Sequence, residues 1–249
     1  MILSDFHTHT IFSDGKNSPE EMVQRAINSG LRAIGFSDHS YTFFDESYCI
    51  SKNNIQNYIN TTADLKEKYR SKIEIYCGIE QDFYSNESTA PYDYVIGSVH
   101  YVKAGDSYIP IDESIDGFKL AVDTYFGGDR LSLCEEYFKS VSRVLEKTNA
   151  DIIGHFDLVS KFNGENLFDE TDERYISAWK NALDDLLKYN KPFEINTGAI
   201  FRGYKNFPYP SKEMIDYIKE KGGKFVLSSD AHSVDGICFQ FDRWKNLTL

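Results

Sequence analysis

The chain has 249 residues, 41% of them hydrophobic and 27% charged, so it is long enough to bury a sizeable apolar core. Its 27 basic and 39 acidic residues give a formal net charge of −12, which opposes binding to a nucleic-acid backbone. The sequence has no leader pattern and no apolar run near the ~18 residues of a membrane span. We therefore expect a cytoplasmic protein that acts on small molecules, without a membrane or nucleic-acid partner. Four widely spaced cysteines predict buried thiols: Cys49, Cys77, Cys134 and Cys238.

Short apolar runs alternate with longer amphipathic segments, and each short run predicts a buried strand. The expected strands are residues 2–6, 32–36, 73–79, 94–99, 151–154, 193–196 and 224–228. The first helix has clear start and stop signals, because Ser18, Pro19 and Glu21 form a capping box and Gly30 follows the last turn. The further helices are expected from Ile55 to Tyr69, from Leu133 to Leu145, from Tyr175 to Leu187, and from near Ser211 to Gly222.

This alternation predicts parallel β/α units, and a chain of this length suits a closed barrel. Because the usual barrel has one strand more, we predict an α/β fold with a distorted (β/α)7 barrel, formed by residues 1–249 as a single domain. An open doubly wound sheet is the alternative. No Gly-x-Gly-x-x-Gly or P-loop pattern follows a strand, which argues against a dinucleotide or nucleoside triphosphate site.

Every histidine of the chain lies at or just beyond the end of a predicted strand. They are His7 and His9, His39, His100, His155 and His232. The third strand ends instead in Glu80, and the seventh is followed by Asp230. The sixth has no obvious ligand, although Asn196 and Arg202 come after it. Since parallel strands of a barrel all end at one face, these side chains are expected to converge there.

The composition of this set predicts a centre for more than one metal ion. The expected ligands are the six histidines together with Asp14, Glu80 and Asp230. Nine groups exceed what one ion takes, so two or three ions are expected, with Glu80 as a bridge. Mixed imidazole and carboxylate ligands favour Zn, Mn or Fe over Mg or Ca.

Carboxylates beside the histidines have two possible roles. Asp5, Asp38 and Asp157 each lie within two residues of a histidine along the chain. They could hydrogen-bond the imidazoles and fix the tautomer, as carboxylates often do behind metal ligands. The alternative is that they cap turns, and the sequence leaves both open.

The chain resembles the polymerase-and-histidinol-phosphatase (PHP) family. The segments that carry the resemblance are "DFHTHTIFSDG", "FSDHS", "GIEQDF", "IGSVHY", "IIGHFDLVSKF", "EINTGAIFRGY" and "SSDAH". Within the family, the chain is most similar to the stand-alone phosphatases of histidine biosynthesis, in "GIEQDF", "GHFDLVSKF" and the run from "NTGAIFRGY" to "PYPS". The resemblance implies a (β/α)7 barrel with three divalent ions at the carboxyl ends of the strands. The implied ligand sets are His7, His9, Glu80 and Asp230; then Glu80, His100 and His155; then Asp14, His39 and His232.

The expected metal centre and the family resemblance together predict a mechanism and a substrate. A metal-bridging hydroxide would attack phosphorus directly, and Asp14, Glu80 and Asp230 would serve catalysis as ligands of the ions. The resemblance implies L-histidinol phosphate, a small phosphate monoester, as substrate. Arg202, Lys161 and Ser229 are the expected phosphate contacts. Aromatic side chains expected at the rim are Tyr41, Phe118 and Tyr204.

Alternative functions explain fewer features of the sequence. The main alternative is another PHP phosphoesterase, a protein-tyrosine or nucleotide phosphatase. A proofreading exonuclease conflicts with the net charge of −12. An amidohydrolase would need a bridging lysine where this chain has Glu80, and a metal-binding module without turnover would not need so complete a ligand set. The sequence leaves the oligomeric state open.

Overall fold

The computed structural model describes residues 4–248, in which seven parallel strands form one sheet with helices around it. The strands of this sheet are β1 Ser4–Asp5, β2 Ala33–Phe36, β3 Glu74–Asp82, β4 Tyr94–Ser98, β7 Ile152–Ile153, β8 Phe193–Asn196 and β9 Phe225–Ser228. A separate two-stranded sheet consists of β5 Tyr101–Ala104 and β6 Ser107–Pro110. The helices are α1 Pro19–Asn28, α2 Ile55–Tyr69, α3 Ile115–Tyr125, α4 Arg130–Val141, α5 Val144–Thr148, α6 Glu173–Leu187, α7 Gly198–Phe201, α8 Lys212–Glu220 and α9 Phe241–Trp244.

The sheet closes into a barrel at the carboxyl ends of its strands. Its order is β1-β2-β3-β4-β7-β8-β9, with each neighbouring pair parallel. Beyond the two outer strands, Thr8 and Ala231 form a parallel bridge, and the Ala231 carbonyl accepts a 2.8 Å hydrogen bond from the His9 amide. The predicted (β/α)7 barrel is therefore confirmed, and the open sheet is excluded. Positions 2 and 3 of the first predicted strand lie outside the described residues.

Several parts of the fold differ from the sequence prediction. An antiparallel hairpin of β5 and β6 follows the fourth barrel strand and was not predicted. The helix expected from Leu133 to Leu145 is divided into α4 and α5, since the chain turns at Ser142 and Arg143. Helices α3, α7 and α9 were also not predicted.

A tyrosine fills the barrel interior beneath the carboxyl ends of the strands. The Tyr94 hydroxyl donates to the carbonyl oxygens of Phe6 and Phe36, at 2.5 and 3.1 Å. Gly35 and Gly78 make room for it, because a Cβ on either would lie 2.2 Å from an atom of the Tyr94 ring or hydroxyl. The barrel is thus a packed core with its open end at the carboxyl side.

The outer helices follow their sequence signals. The Ser18 side chain accepts from the Glu21 amide and the Glu21 carboxylate accepts from the Ser18 amide, which confirms the capping box. A cap of this kind contributes about 1 kcal/mol. Helix α6 buries Trp179 and Leu183 in the main hydrophobic core and packs against α4 and α8. Among residues 4–248, none of the helices combines the length and apolar character needed to cross a membrane.

Candidate metal centre

The side chains predicted as metal ligands meet at the carboxyl end of the barrel. His7, His9 and Asp14 follow β1, His39 follows β2, Glu80 lies in β3, His100 follows β4, His155 follows β7, and Asp230 and His232 follow β9. All six histidines and three carboxylates thus share one site. Except for Glu80, each of these ligands lies just beyond a barrel strand, where the chain leaves the sheet.

Glu80 lies at the centre of this group and is buried. Its Oε1 atom is 2.9 Å from Nε2 of His155 and 3.5 Å from Nε2 of His100. Its Oε2 atom is 2.8 Å from Nδ1 of His39 and 3.4 Å from Nε2 of His7. The two carboxylate oxygens therefore face different histidines, which is the arrangement that a bridging ligand needs.

Asp230 and Asp14 extend the group on the side of β9. Asp230 Oδ1 is 3.3 Å from Nε2 of His9 and 3.5 Å from Nδ1 of His232. Asp14 Oδ2 is 3.2 Å from Nε2 of His232, and its Oδ1 is 3.7 Å from Nε2 of His39. His232 therefore links the two carboxylates.

Several buried nitrogen and oxygen atoms of the centre are available to bind metal ions. Nε2 of His7, both ring nitrogens of His9 and Oε2 of Glu80 are buried, and within residues 4–248 none of them forms a hydrogen bond. Burial and the neighbouring His232 and His39 rings lower the pKa of His9 to about 3, so its imidazole is neutral near pH 7. A neutral imidazole is the form that binds a metal ion. An unsatisfied buried polar group is otherwise costly, and bound cations would satisfy these atoms.

Ligand atoms within 4.8 Å of one another form three overlapping groups among residues 4–248. They are His9, Asp14, His39 and His232; His7, His9 and Asp230; and His39, Glu80 and His100. These groups overlap the three sets implied by the family resemblance without coinciding with them. His9 and His39 each belong to two groups, so the division of ligands among ions is not decided by proximity alone.

Two carboxylates that were not predicted from the sequence contact the imidazoles of His7 and His100 at Nδ1. Glu194 in β8 lies 2.6 Å from Nδ1 of His7, and Asp82 in β3 lies 3.1 Å from Nδ1 of His100. The sixth barrel strand, for which no ligand was evident, therefore contributes through Glu194. The sequence did contain a signal for this role: Glu194 is a carboxylate inside the buried run "FEIN", and a buried charge requires a partner.

The carboxylates proposed for that role make different contacts. Asp5 accepts from the amides of Ser229 and Cys238, at 3.1 and 3.0 Å. Asp38 accepts from the Thr10 amide at 2.8 Å and also binds the neighbouring loop hydroxyls. Asp157 accepts from loop groups as well, among them the amide of residue 211 at 3.2 Å. The turn-capping alternative is therefore the correct one, because these carboxylates satisfy backbone amides of the loops that carry the ligands.

A cavity of about 310 Å³ opens above the cluster. Its lining includes Arg202 and Lys161, the two predicted phosphate contacts. The remaining lining residues are Asp14, His39, Asp45, Ser47, Tyr48, His100, Tyr101, Pro110, Asp112, Glu113, His155, Leu158, Asp230 and His232. The cavity thus has two cationic side chains beside the candidate ligands. Acidic and aromatic side chains form other parts of its lining.

Arg202 is held at the cavity by the candidate ligand Asp230. Its Nη2 donates to Asp230 Oδ2 at 2.9 Å and its Nη1 donates to the Asp230 carbonyl at 3.1 Å. Although burial opposes ionisation of Arg202, the Asp230 carboxylate raises the pKa of Arg202 further above its usual range. Gly198 permits this pair, because a Cβ there would lie 2.8 Å from Asp230 Oδ2 and 2.9 Å from Arg202 Nη2.

Four other predicted contacts lie elsewhere. Phe118 is 1% exposed and packs against Phe168 in the core, so it cannot cover a ligand in the cavity. The buried Ser229 hydroxyl points to the His7 carbonyl at 3.5 Å. Tyr41 and Tyr204 do not line the cavity. The hydrophobic pattern could not distinguish a core phenylalanine from one at a cavity wall, because both are apolar.

Comparison with known proteins gives consistent matches over most of the chain. Residues 5–198 match the family profile described as the PHP domain. The histidinol-phosphatase of Lactococcus lactis is 30% identical over 240 residues, which cover 92% of this chain and 83% of that protein. The histidinol-phosphatase of Bacillus subtilis is 25% identical over 262 residues, which cover 96% of both.

Two solved structures have a similar fold. The HisK protein of Listeria monocytogenes gives a TM-score of 0.85 at 22% identity, over 97% of this chain and 99% of that one. Histidinol phosphate phosphatase of L. lactis, complexed with Zn, L-histidinol and phosphate, gives a TM-score of 0.75 at 23% identity, over 99% of this chain and 92% of that one.

Proposed function

The chain belongs to the PHP family, and we propose that it is a metal-dependent phosphatase that hydrolyses L-histidinol phosphate to L-histidinol and phosphate. The observation that carries the proposal is the cluster of six histidines and three carboxylates on the floor of a cavity that also presents Arg202 and Lys161. Relatives named histidinol-phosphatase, and a related crystal structure that contains zinc, L-histidinol and phosphate, support the choice of substrate.

We further propose three divalent ions, Zn, Mn or Fe, as the cofactor. The first would be held by His7, His9, Glu80 and Asp230, the second by Glu80, His100 and His155, and the third by Asp14, His39 and His232. Bound divalent cations lower the pKa of coordinated water toward ~7 and neutralise phosphate charge. The unpartnered buried nitrogens and the two-sided position of Glu80 support this assignment.

The protein's own groups would orient the ligands and the substrate. Glu194 and Asp82 accept from Nδ1–H of His7 and His100, which leaves the Nε2 lone pairs directed at the cluster. Arg202 keeps N–H groups beyond those that bind Asp230, and these would donate to phosphate oxygens in the cavity. Lys161 is held by the carbonyl and carboxylate of Asp112, at 2.6 and 3.1 Å, and would add a second positive charge.

A substrate panel tests the function. Purified protein loaded with zinc or manganese is assayed for phosphate release from L-histidinol phosphate, p-nitrophenyl phosphate, a phosphotyrosine peptide and nucleoside monophosphates. We expect kcat/KM to be highest for L-histidinol phosphate by roughly 100-fold, since a site that pairs polar groups of its substrate strongly rejects analogues without them. A His100→Ala preparation made in parallel controls for contaminating phosphatases. Preference for the phosphopeptide or the nucleotides would contradict the proposal and favour the alternative PHP activities.

A further inference from the structure

The outer wall of the cavity is built from two segments that the barrel itself does not require. They are the loop of residues 41–50 after β2 and the hairpin of β5 and β6. The Phe44 ring stacks on Tyr108 of the hairpin with centroids 3.9 Å apart, and the Tyr101 hydroxyl donates to Asp45 Oδ2 at 2.8 Å. Aromatic packing and this hydrogen bond fix the loop on the hairpin, so the wall is a defined surface.

Two tyrosine rings of this wall line the cavity, and the ring of Tyr48 contacts two candidate ligands. The Tyr48 ring is 4.8 Å from the His39 ring and 6.3 Å from the His100 ring, measured between centroids. The Tyr101 ring lies 6.1 Å from Tyr48, and both line the cavity. A group attached to a phosphate on the cluster would therefore contact aromatic faces, which attract cations.

The carboxylates of the cavity differ in what they already bind. Asp45 accepts from Tyr101 and from the Ser47 amide and hydroxyl, and Asp112 is paired with Lys161. Asp14 and Asp230 face the histidines. Each of these four has a partner within the protein.

Glu113 is the exception. It lines the cavity and is exposed, and within residues 4–248 its carboxylate has neither an ion pair nor a hydrogen bond. The hairpin brings it there: Tyr101 pairs with Pro110, and the Ile111 amide donates to the His100 carbonyl at 3.0 Å. Glu113 follows two residues later, so an unpaired negative charge lines the same cavity as the rings of Tyr48 and Tyr101.

From this arrangement, and resting on the proposed phosphatase function, we propose that Glu113 selects phosphate esters whose alcohol part carries a positive charge. The phosphate would bind at the cluster with Arg202. The ammonium or imidazolium group of the alcohol would then lie at the wall, paired with Glu113 and covered by the rings of Tyr48 and Tyr101. An ester of an uncharged alcohol gains neither the ion pair nor the cation–π contact.

Charge reversal provides the test. Wild-type protein and Glu113→Lys are compared for kcat/KM with L-histidinol phosphate, with ethanolamine phosphate, and with p-nitrophenyl phosphate, whose alcohol is uncharged. Glu220→Lys changes net charge equally on the outer helix α8 and is the matched control. We expect Glu113→Lys to lower the ratio of kcat/KM for the cationic esters over p-nitrophenyl phosphate by roughly tenfold, because an attraction is replaced by a repulsion. Glu220→Lys should leave the ratio as in the wild type.

The outcomes separate this inference from the proposed function. If the wild type prefers L-histidinol phosphate and Glu113→Lys keeps the wild-type ratio, the role of Glu113 is overturned while the proposed function stands. If the wild type does not hydrolyse L-histidinol phosphate, the proposed function fails. The ratio for ethanolamine phosphate then decides: a roughly tenfold fall in Glu113→Lys alone supports the role of Glu113, and an unchanged ratio rejects it.

Discussion

Nδ1 of His7 lies 2.6 Å from Oε1 of Glu194, and neither side chain has exposed surface. The other oxygen of Glu194 accepts from the His155 amide and from the Asn196 side chain, each at 3.0 Å. Since the carboxylate accepts at both oxygens, His7 donates from Nδ1 and its Nε2 is left facing Glu80. One strand that carries no candidate ligand thus sets the tautomer of a ligand on another.

Replacement of this carboxylate tests that role. Glu194→Gln should weaken zinc binding by roughly 10- to 100-fold, because the amide holds the imidazole less firmly and lowers its basicity. Zinc content after dialysis against buffers of graded free zinc measures the change. Glu74→Gln, at the exposed amino end of β3, is the control and should bind zinc like the wild type. Equal affinity in both variants would show that Glu194 does not act on the metal centre.

Zinc should also stabilise the fold. Carboxylates and imidazoles buried without partners destabilise the metal-free protein, and an ion that binds only the folded state stabilises it by about 2.7 kcal/mol at 100 times its Kd. We expect the Tm after chelation to rise as free zinc is added back. Calcium at equal concentration should have a smaller effect, because it binds imidazole poorly. A Tm independent of zinc would contradict the proposed centre without reference to activity.

Arg202 provides a test of phosphate binding. Arg202→Lys keeps the positive charge but loses the forked donors that can bind Asp230 and a phosphate oxygen together. We expect kcat/KM to fall roughly 10- to 100-fold for every phosphate monoester, with zinc content retained. Steady-state kinetics and metal analysis on the same preparation check this. Wild-type kinetics would mean that the guanidinium only supports Asp230.

The thiol of Cys77 should be unreactive near neutral pH. Burial raises the pKa of Cys77 to about 11, so very little thiolate is present at pH 8. Alkylation of the folded protein by iodoacetamide should therefore be slow and should quicken about tenfold for each pH unit up to the raised pKa. Peptide mass spectrometry, with the denatured protein as reference, measures the rate. Rapid labelling of Cys77 at pH 8 in the folded state would contradict the burial of its thiol.

Gly78 should tolerate no side chain. A Cβ there would lie 2.2 Å from Cζ of Tyr94, inside the barrel, and overpacking of this kind typically costs about 1–3 kcal/mol. Urea unfolding of Gly78→Ala should show a lower midpoint with an unchanged slope. Gly164→Ala, where a Cβ meets no atom within 4 Å, is the control. Equal midpoints in the two variants would place Tyr94 elsewhere than in the barrel interior.

The sequence by itself determined the seven barrel strands, their parallel arrangement and the face on which the histidines meet. These follow from local rules: buried strands are apolar runs, connections through helices make neighbouring strands parallel, and parallel strands end together. Once the seven strands were placed, His7, His39, His100 and His155 had to meet at one end. Arg202 and Lys161 were expected in addition from the resemblance to the PHP family, and both line the cavity.

Only the tertiary structure decided which partner each polar group finds. Asp5, Asp38 and Asp157 adjoin histidines in the chain but bind loop amides, whereas Glu194 binds His7 from 187 residues away. The hairpin that brings Glu113 to the cavity was likewise absent from the strand pattern. Hydrogen-bond partners depend on distances of a few ångström between distant segments, and these distances are set only when the barrel closes and its core packs.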